Sequence, residues 1–281
     1  MLVSLHEILN DAKERKYAVG FFNAVDVEQA RSVINTAEEL RSPIIVGTAE
    51  VLLPATPLNG VAEYLIPMAQ RAKVPVCVHF DHGLSFERCI QAIRLGFTSV
   101  MYDCSMDTYE GNIEKVAEMV RICHSVGVTV EGELGHVGDN EGSGKLKDPS
   151  AYFTDPATAE DFVKRTGVDA LAVAVGNAHG EYKLPPKLDF ERITDISERT
   201  GIPLVLHGGS GLSDNDFHEA IKRGVCKVNI FTDIDRAGKE GIEKGLAAGA
   251  ASLSALMPYM LDAMREVAKN KIELFGSANK A

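Results

Sequence analysis

Eight short apolar runs that alternate with amphipathic helical patterns predict an α/β fold, the (β/α)₈ or TIM barrel, with a helical extension at the C-terminus. Several of the runs are almost continuously apolar, which is typical of parallel strands covered on both faces. The length of 281 residues is ordinary for one such barrel. Because no linker, charge block or clear repeat divides the sequence, we predict that residues 1–281 form a single domain.

The predicted strands are Ala18–Phe22, Pro43–Val46, Val74–Phe80, Ser99–Tyr102, Val126–Gly132, Ala170–Val175, Pro203–Leu206 and Cys226–Ile230. An open, doubly wound sheet is the alternative architecture. It predicts a glycine-rich phosphate loop after an early strand, and the segment from Asn23 to Asp26 after the first strand is not of that kind. The closed barrel is therefore favoured.

The helices between these strands are indicated by apolar spacing and by end signals. Serine or aspartate precedes three predicted helices, at Ser85, Asp155 and Ser213, where such side chains cap free amides. Glycines are predicted to end helices at Gly96, Gly127, Gly167, Gly201 and Gly224. The C-terminal helix carries an apolar stripe of Met257, Met260, Leu261, Met264 and Val267, which suits either packing on the barrel or an oligomer interface.

Charge and composition exclude several classes of function. The 29 basic and 40 acidic side chains give a net charge of −11, which disfavours binding to nucleic acid through its phosphates. No run approaches the ~20 apolar residues of a membrane span, and the N-terminus lacks a signal-peptide pattern. The five cysteines are scattered without a CxxC motif, as expected for reduced thiols. We therefore expect a cytoplasmic protein with neither membrane nor nucleic acid as a partner.

Three histidines follow predicted strands directly. His82, His179 and His207 each lie beside glycine at such a strand end, and a barrel gathers these ends around one mouth. Three imidazoles around one point form a typical catalytic zinc site. A lone histidine is more often an ordinary surface or core residue, but the repeated pattern favours the metal site. The other histidines, including His79, are predicted to be structural.

Three acidic residues also lie at predicted strand ends: Asp81 at the end of the third strand, Asp103 at the end of the fourth and Glu133 at the end of the fifth. Asp81, next to His82, is suited to acid–base chemistry; capping a helix or supporting a histidine ligand is its alternative role. Asp103 and Glu133 are candidates for a second metal position or for orienting the first set of ligands. Both also suit simpler roles as a helix cap or as the partner of a lysine.

A phosphate site is predicted after the last two strands. The glycine-rich run Gly208–Gly211 follows the seventh strand, and residues 229–232 follow the eighth. Loops at these positions of a barrel commonly hold phosphate on backbone amides. A metal beside a phosphate site suits chemistry in which a carbonyl is polarised next to a phosphate-bearing carbon. The long polar segment from His136 to Thr154 is either a lid or binding loop, or a disordered surface excursion.

Taken in order along the chain, these motifs resemble the class II, metal-dependent ketose-bisphosphate aldolases, the fructose- and tagatose-bisphosphate aldolase family. The resemblance covers nearly the whole chain. The matching segments are Phe22-Asn23, Asp81-His82-Gly83, Gly96–Met101, Val130–Gly135, Gly176–Gly180, Leu206–Gly211 and Lys227-Val228-Asn229.

The resemblance implies a role for each matching residue. It implies that His82, His179 and His207 bind a catalytic Zn²⁺. It also implies that Asp81 accepts the proton of the substrate C4 hydroxyl during cleavage. It makes Glu141, in the long loop, the acid that exchanges the proton at C3. Asp103 and Glu133 match positions that hold a second divalent ion. A monovalent cation in place of that second divalent ion is the alternative. The residues expected to bind dihydroxyacetone phosphate and substrate are Asn23, Gly180, Gly208, Gly209, Ser210, Asn229, Ile230, Phe231 and Thr232.

The implied reaction is the reversible, zinc-dependent cleavage of a ketose 1-phosphate or 1,6-bisphosphate at C3–C4, which gives dihydroxyacetone phosphate and an aldehyde. Four residues depart from the family pattern at the end of the pocket that would take the distal phosphate. Ala49 replaces a serine, Ser254-Ala255 replace an Arg-Lys pair that serves the neighbouring subunit's site, and Phe231 replaces a small or acidic residue. A phosphate without cations or donors is poorly held. We therefore predict an unphosphorylated acceptor, with a fructose- or tagatose-1,6-bisphosphate aldolase as the alternative.

Three rival functions remain open on the sequence. Lys227 lies in the eighth predicted strand and would serve a Schiff-base aldolase if it points inward. A tri-histidine site also suits a metallohydrolase. An inactive, metal-stabilised scaffold is the third alternative. The family resemblance implies a homodimer or homotetramer that acts on a small sugar phosphate.

Overall fold

The computed structural model describes residues 1–135, 153–179 and 187–281, together with the backbone of residues 138 and 139; of residue 179 it describes the backbone alone. The strands are β1 (Leu2–Val3), β2 (Val19–Asn23), β3 (Ile44–Ala49), β4 (Val76–Gly83), β5 (Ser99–Tyr102), β6 (Thr129–Leu134), β7 (Gly138–Asp139), β8 (Ala170–Val173), β9 (Ala178–His179), β10 (Leu204–Leu206) and β11 (Val225–Ile230).

Eight of these strands close into a parallel barrel. Their order is β4-β3-β2-β11-β10-β8-β6-β5, and β5 pairs again with β4 to close the ring. Each barrel strand overlaps one of the eight apolar runs, so the prediction of a (β/α)₈ TIM barrel is confirmed and the open sheet was wrong. The short strand β1 adds to β4 outside the ring, and β7 pairs with β9.

Helices alternate with the strands around the barrel. They are α1 (Leu5–Arg15), α2 (Val27–Glu39), α3 (Leu58–Arg71), α4 (Phe86–Leu95), α5 (Tyr109–Ser125), α6 (Pro156–Thr166), α7 (Phe190–Thr200), α8 (Asp214–Lys222), α9 (Thr232–Ala247) and α10 (Leu253–Leu274), with a 3₁₀ turn at Glu50–Leu52. The predicted caps are confirmed: Ser85, Asp155 and Ser213 accept hydrogen bonds from first-turn amides of α4, α6 and α8. Among the described residues, no helix combines the length and the apolarity that crossing a membrane requires.

The C-terminal helix α10 packs against the barrel rather than projecting from it. Met264 is buried in the main core, while Met260, Leu261 and Val267 pack against that core while partly buried. The apolar stripe of α10 is therefore explained by packing within the chain.

Helix α1 closes the bottom of the barrel, a feature that the sequence analysis did not predict. Ser4 starts the helix with a capping box. Leu5, Ile8 and Leu9 are buried in one cluster with inward-facing strand residues such as Ile45. The bottom of the barrel interior is thus dry and apolar.

The barrel interior becomes polar toward the mouth at the carboxyl ends of the strands. Alternate residues of a strand face the same side, and in β4 this series runs from Cys77 through His79 to Asp81. In β6 the same alternation places Glu131 and Glu133 inside. All five side chains are buried. The site therefore rests on charged and polar side chains that line the upper half of the barrel.

Candidate functional site

His82 lies where β4 departs from regular pairing. The register with β5 shifts between Phe80 and Gly83, so β4 continues three residues beyond the predicted end at Phe80. At this irregularity His82 takes a left-handed backbone with φ of 42°, which is strained for a residue with a side chain. A Cβ atom at Gly83 would lie 2.5 Å from the sulfur of Cys89, so only glycine fits next to the histidine.

The ring of His82 is oriented by the carboxylate that follows β5. Its Nδ1 lies 2.8 Å from Oδ2 of Asp103. Ser105 holds the other oxygen of Asp103 through its hydroxyl at 2.7 Å. These bonds keep the pKa of Asp103 below its usual range even though burial opposes ionisation. Because an ionised carboxylate only accepts hydrogen bonds, Nδ1 of His82 is the protonated nitrogen and Nε2 points into the mouth.

His207 follows β10, and its ring is also oriented by a carboxylate, that of Glu131 in the barrel interior. Its Nε2 lies 2.9 Å from Oε1 of Glu131, and Nζ of Lys227 lies 2.8 Å from Oε2 of the same carboxylate. Burial alone would raise the pKa of Glu131, but the Lys227 ammonium and the bond to His207 lower it to about 2. His207 therefore donates from Nε2, and its Nδ1 is the nitrogen that faces the mouth.

The two rings meet at these remaining nitrogens. Nδ1 of His207 lies 2.8 Å from Nε2 of His82, with the rings nearly perpendicular at 87°. Because each ring gives its other nitrogen to a carboxylate, two lone pairs face each other, an arrangement that needs a cation between them. Burial alone would lower the pKa of His82, but the Asp81 charge and the bond to Asp103 raise it to about 10. A proton fills this position in the metal-free protein, and a divalent ion fits the same donors.

Asp81 stands beside these rings with its carboxylate fixed on both sides. Asn229 donates to Oδ1 at 3.1 Å, and Asn23 donates to Oδ2 at 3.3 Å. Burial opposes ionisation of Asp81, yet the charge on His82 dominates and holds its pKa well below the usual range. Single donor atoms of Asp81, His82 and His207 lie within 4.8 Å of one another. An ionised carboxylate is thus available next to the metal position.

A second group of donors adjoins the first. Donor atoms of His82, Asp103 and Glu133 also lie within 4.8 Å of one another, so the structure brings together the residues predicted for a second metal position. Because His82 belongs to both groups, these carboxylates could serve either one ion or two neighbouring ions.

Several predicted residues lie partly or wholly outside the described part of the chain. Glu141 and Gly180 are outside it, and of His179 only the backbone is described. That backbone forms β9 with Ala178, next to the glycine loop after β10. Gly208 has φ of +64°, and a Cβ atom there would lie 2.0 Å from the carbonyl oxygen of Ala178. The chain at His179 therefore lies at the same mouth as His207.

The loops predicted to hold phosphate lie against each other. The amide of Gly209 donates to the carbonyl of Asn229 at 3.2 Å, which joins the loop after β10 to β11. Helix α9 then begins at Thr232, and its N-cap residue Phe231 offers no side-chain hydrogen bond to the first turn. Ser210 and Ile230 are buried here. Amides of an uncapped helix start suit an anion.

Sequence reasoning missed three buried residues beneath the site. His79 was predicted to be structural, yet it lies between two carboxylates, with Nε2 3.7 Å from Oδ1 of Asp81 and from Oε2 of Glu131. Burial, and then the charge on Lys227, lower the pKa of His79. Glu131 was noted only as part of a motif, and Lys227 only as a Schiff-base candidate. The alternation of charged residues within β4, β6 and β11 was the available signal.

Comparisons with known proteins identify the family of the whole chain. The family model described as fructose-bisphosphate aldolase class-II matches residues 3–280. A relative from Bacillus subtilis, named probable fructose-bisphosphate aldolase, is 38% identical over 100% of this chain and 99% of its own. The crystal structure of the YdjI aldolase from Escherichia coli K12 is 37% identical with a TM-score of 0.91, and each chain is covered over 100% of its length.

A third similar protein comes from Coccidioides immitis. The structure of a putative fructose-1,6-bisphosphate aldolase from Coccidioides immitis is 28% identical with a TM-score of 0.88, covering 98% of this chain and 97% of that one. Aldolases are lyases, and the matches extend over the entire barrel. The chain belongs to the class-II fructose-bisphosphate aldolase family.

Proposed function

We propose that this aldolase is zinc-dependent and cleaves a ketose 1-phosphate between C3 and C4, giving dihydroxyacetone phosphate and an aldehyde that carries no phosphate. The observation that supports the metal is the pair of carboxylate-bound imidazoles, His82 and His207, whose remaining ring nitrogens lie 2.8 Å apart. His179 is the proposed third ligand. Asp103 and Glu133 are proposed to hold a second divalent ion or a monovalent cation, or to support the first ion.

A divalent ion bound by these histidines supplies Lewis-acid polarisation of the substrate ketone. The chain's own residues then move the protons. Asp81 is ionised and accepts the proton of the C4 hydroxyl. The C4–O bond becomes a carbonyl while the electron pair of the C3–C4 bond passes toward the C2 carbonyl group. Glu141 is proposed to return a proton to C3, after which dihydroxyacetone phosphate leaves.

The amides of Asn23 and Asn229 keep Asp81 in position for this transfer. Their bonds occupy one site on each carboxylate oxygen, which leaves further lone pairs free to accept the substrate proton. For dihydroxyacetone phosphate we propose the backbone of Gly180, Gly208 and Gly209, with Ser210, Asn229 and Thr232 along the same loops. Ile230 and Phe231 are proposed to contact the rest of the substrate.

The proposal of an unphosphorylated acceptor rests on the side chains at the other end of the pocket. Ala49 ends β3 and is 4% exposed, so it offers a buried methyl group where a hydroxyl would bind phosphate. Ser254 and Ala255 occupy the exposed first turn of α10 and carry no positive charge. The Lys227 ammonium is fully buried and bound to Glu131, so it does not reach a phosphate. The bisphosphate alternative is favoured by the description of the family model and by the names of relatives.

The burial of Lys227 also argues against a Schiff-base mechanism. Its side chain points inward, as the rival hypothesis required, but its Nζ lies 2.8 Å from a carboxylate deep in the barrel. A lysine that attacks a ketone must reach the substrate with a free amine. A metallohydrolase would need no proton exchange at C3, and an inactive scaffold would need no carboxylate held in position by two amides. We further propose a cytoplasmic homodimer or homotetramer, with no nucleic-acid or membrane partner.

The substrate proposal predicts a specific ranking of substrates. The ratio kcat/KM for at least one ketose 1-phosphate should exceed that for fructose or tagatose 1,6-bisphosphate about tenfold or more, because charge-assisted bonds to a second phosphate are worth roughly 1.5–3 kcal/mol each and are missing. The measurement is release of dihydroxyacetone phosphate across a sugar-phosphate panel. The double substitution S254R/A255K should raise cleavage of bisphosphates while leaving that of ketose 1-phosphates unchanged.

A clear preference of the natural enzyme for a bisphosphate would reject the unphosphorylated acceptor. In that case Lys145, Lys147 and Lys183, which lie outside the described residues, become the candidates for binding the second phosphate.

The raised pKa of His82 predicts how metal binding depends on pH. The pKa of His82 in the metal-free protein is raised to about 10, so its imidazole carries a second proton at lower pH. A metal ion that binds below pH 10 must displace this proton. The apparent dissociation constant should therefore fall about tenfold for each unit of rising pH between 7 and 9. His207, whose pKa is lowered by burial, is already neutral and releases no proton.

Calorimetric titration with metal in buffers of different ionisation enthalpy measures the protons released. We expect about one proton for each ion bound, because one histidine changes its state. A release near zero, with an affinity that does not depend on pH, would contradict this account of the two imidazoles.

A further inference from the structure

A buried ion pair lies directly beneath the metal position and has no role in the proton transfers. Glu131 and Lys227 are both 0% exposed, and their charged atoms lie 2.8 Å apart. The ammonium of Lys227 also lies 4.6 Å from the centre of the Phe21 ring, so one side of it faces an aromatic surface. The pair occupies the middle of the barrel, between the apolar floor and the mouth.

Such a pair is a poor source of stability. Removing two charges from water costs several kcal/mol for each ion, and well-packed apolar residues often stabilise a core as well or better. A charged pair inside a barrel therefore points to a requirement other than stability. The contacts of Glu131 indicate what that requirement is.

The two oxygens of Glu131 have different partners. Oε2 accepts from Lys227 at 2.8 Å, and Oε1 lies 2.9 Å from Nε2 of His207. With one oxygen held by the lysine, the carboxylate cannot turn away from the imidazole. His79 does not compete, because its Nε2 lies 3.7 Å from Oε2, which is beyond hydrogen-bonding distance.

We propose that Glu131 and Lys227 are positioning residues that fix the ring orientation and the tautomer of His207, so that Nδ1 is the nitrogen presented to the divalent ion. The carboxylate only accepts, so Nε2 of His207 carries the proton and Nδ1 carries the lone pair. Without this acceptor the ring is free to rotate and to exchange tautomers, and part of the population presents N–H to the metal. The inference rests on the proposed function only in that His207 binds a metal.

The test separates positioning from stability by removing the pair in two ways. E131L/K227M replaces both charges by apolar side chains, which should preserve folding but remove the acceptor for Nε2 of His207. E131Q/K227M also removes both charges but retains an amide oxygen as the acceptor. K271M/D233N is the matched control, because that pair lies 2.9 Å apart, close to the 2.8 Å between Glu131 and Lys227, but outside the barrel wall.

The readouts are the melting temperature of the metal-free protein, the dissociation constant for Co²⁺ from chelator competition, and the visible spectrum of the Co²⁺ protein. E131L/K227M should remain folded and bind Co²⁺ about 10–100-fold more weakly, with an altered spectrum. E131Q/K227M should recover most of that loss. The control variant should match the natural protein in affinity and spectrum.

An E131L/K227M protein that is folded and binds Co²⁺ with natural affinity and spectrum would overturn the proposal. So would E131Q/K227M if it folds but binds as weakly as E131L/K227M, since the acceptor would then not matter. If E131L/K227M does not fold, E131Q/K227M is compared with the control variant instead. The proposal then requires that E131Q/K227M bind Co²⁺ with the natural affinity and spectrum. A natural protein that binds no metal would refute the proposed function itself, which is a distinct result.

Discussion

Substituting Asp81→Asn should lower kcat for aldol cleavage about 1,000-fold while the protein keeps its fold and its metal. The carboxylate is the proposed acceptor for the C4 hydroxyl proton, and a positioned acid or base contributes roughly 10²- to 10⁴-fold. The new amide fits locally. Within the described residues, Oδ1 of Asn23 and of Asn229 has no hydrogen-bond partner, so either amide can turn and accept from the new group.

The matched control for this variant is Asp107→Asn. Asp107 lies on the loop after β5, is exposed and pairs with Lys115 at 2.7 Å. It should retain the natural kcat, and both variants should contain the natural amount of metal by elemental analysis. Cleavage by the Asp81 variant at more than a tenth of the natural rate would remove Asp81 from the role of base.

His82→Ala should abolish specific metal binding and, with it, the cleavage activity. The substitution deletes a proposed ligand and leaves the carboxylate of Asp103 without its imidazole at 2.8 Å. Because removing a mere supporting residue weakens metal binding 10–100-fold, we expect a loss of more than about 100-fold here. Chelator competition gives the affinity, and release of dihydroxyacetone phosphate gives the activity.

His124→Ala is the appropriate comparison, since that imidazole also pairs with a carboxylate, Asp169, at 2.9 Å. Breaking this surface pair should change neither metal affinity nor activity. A His82 variant that still binds one metal ion with natural affinity would show that the ion lies elsewhere. A His124 variant that loses metal would show that the assay reports general destabilisation.

The barrel was predictable because its strands are buried on both faces and therefore appear as apolar runs. The runs were less informative at their ends. The sequence pattern ended the third strand at Phe80, where polar residues begin, but β4 continues through Asp81 and His82 to Gly83. Polar residues in a strand usually face solvent; here the barrel interior turns polar toward its mouth. Helix α1 was missed because only the tertiary structure shows that it covers the open barrel bottom.

The site was predictable to the extent that its residues lie at strand ends. His82, His207 and Asp81 were identified in this way, and the structure brings them together. The supporting residues Glu131 and Lys227 were not identified. They occur in different strands, and nothing local in the sequence shows that their charges meet. Lys227 was expected to point inward if it were a Schiff-base lysine. The inward direction is observed, but its contact with Glu131 indicates a supporting role.

The most direct test of the central claim is to remove the metal and measure cleavage. The enzyme is treated with a chelator and dialysed, and release of dihydroxyacetone phosphate from its best ketose 1-phosphate is then assayed before and after zinc is returned. We predict loss of activity on removal and full recovery with about one equivalent of Zn²⁺ for each catalytic site. Undiminished cleavage by the metal-free protein, with borohydride trapping of substrate on a lysine, would contradict the account.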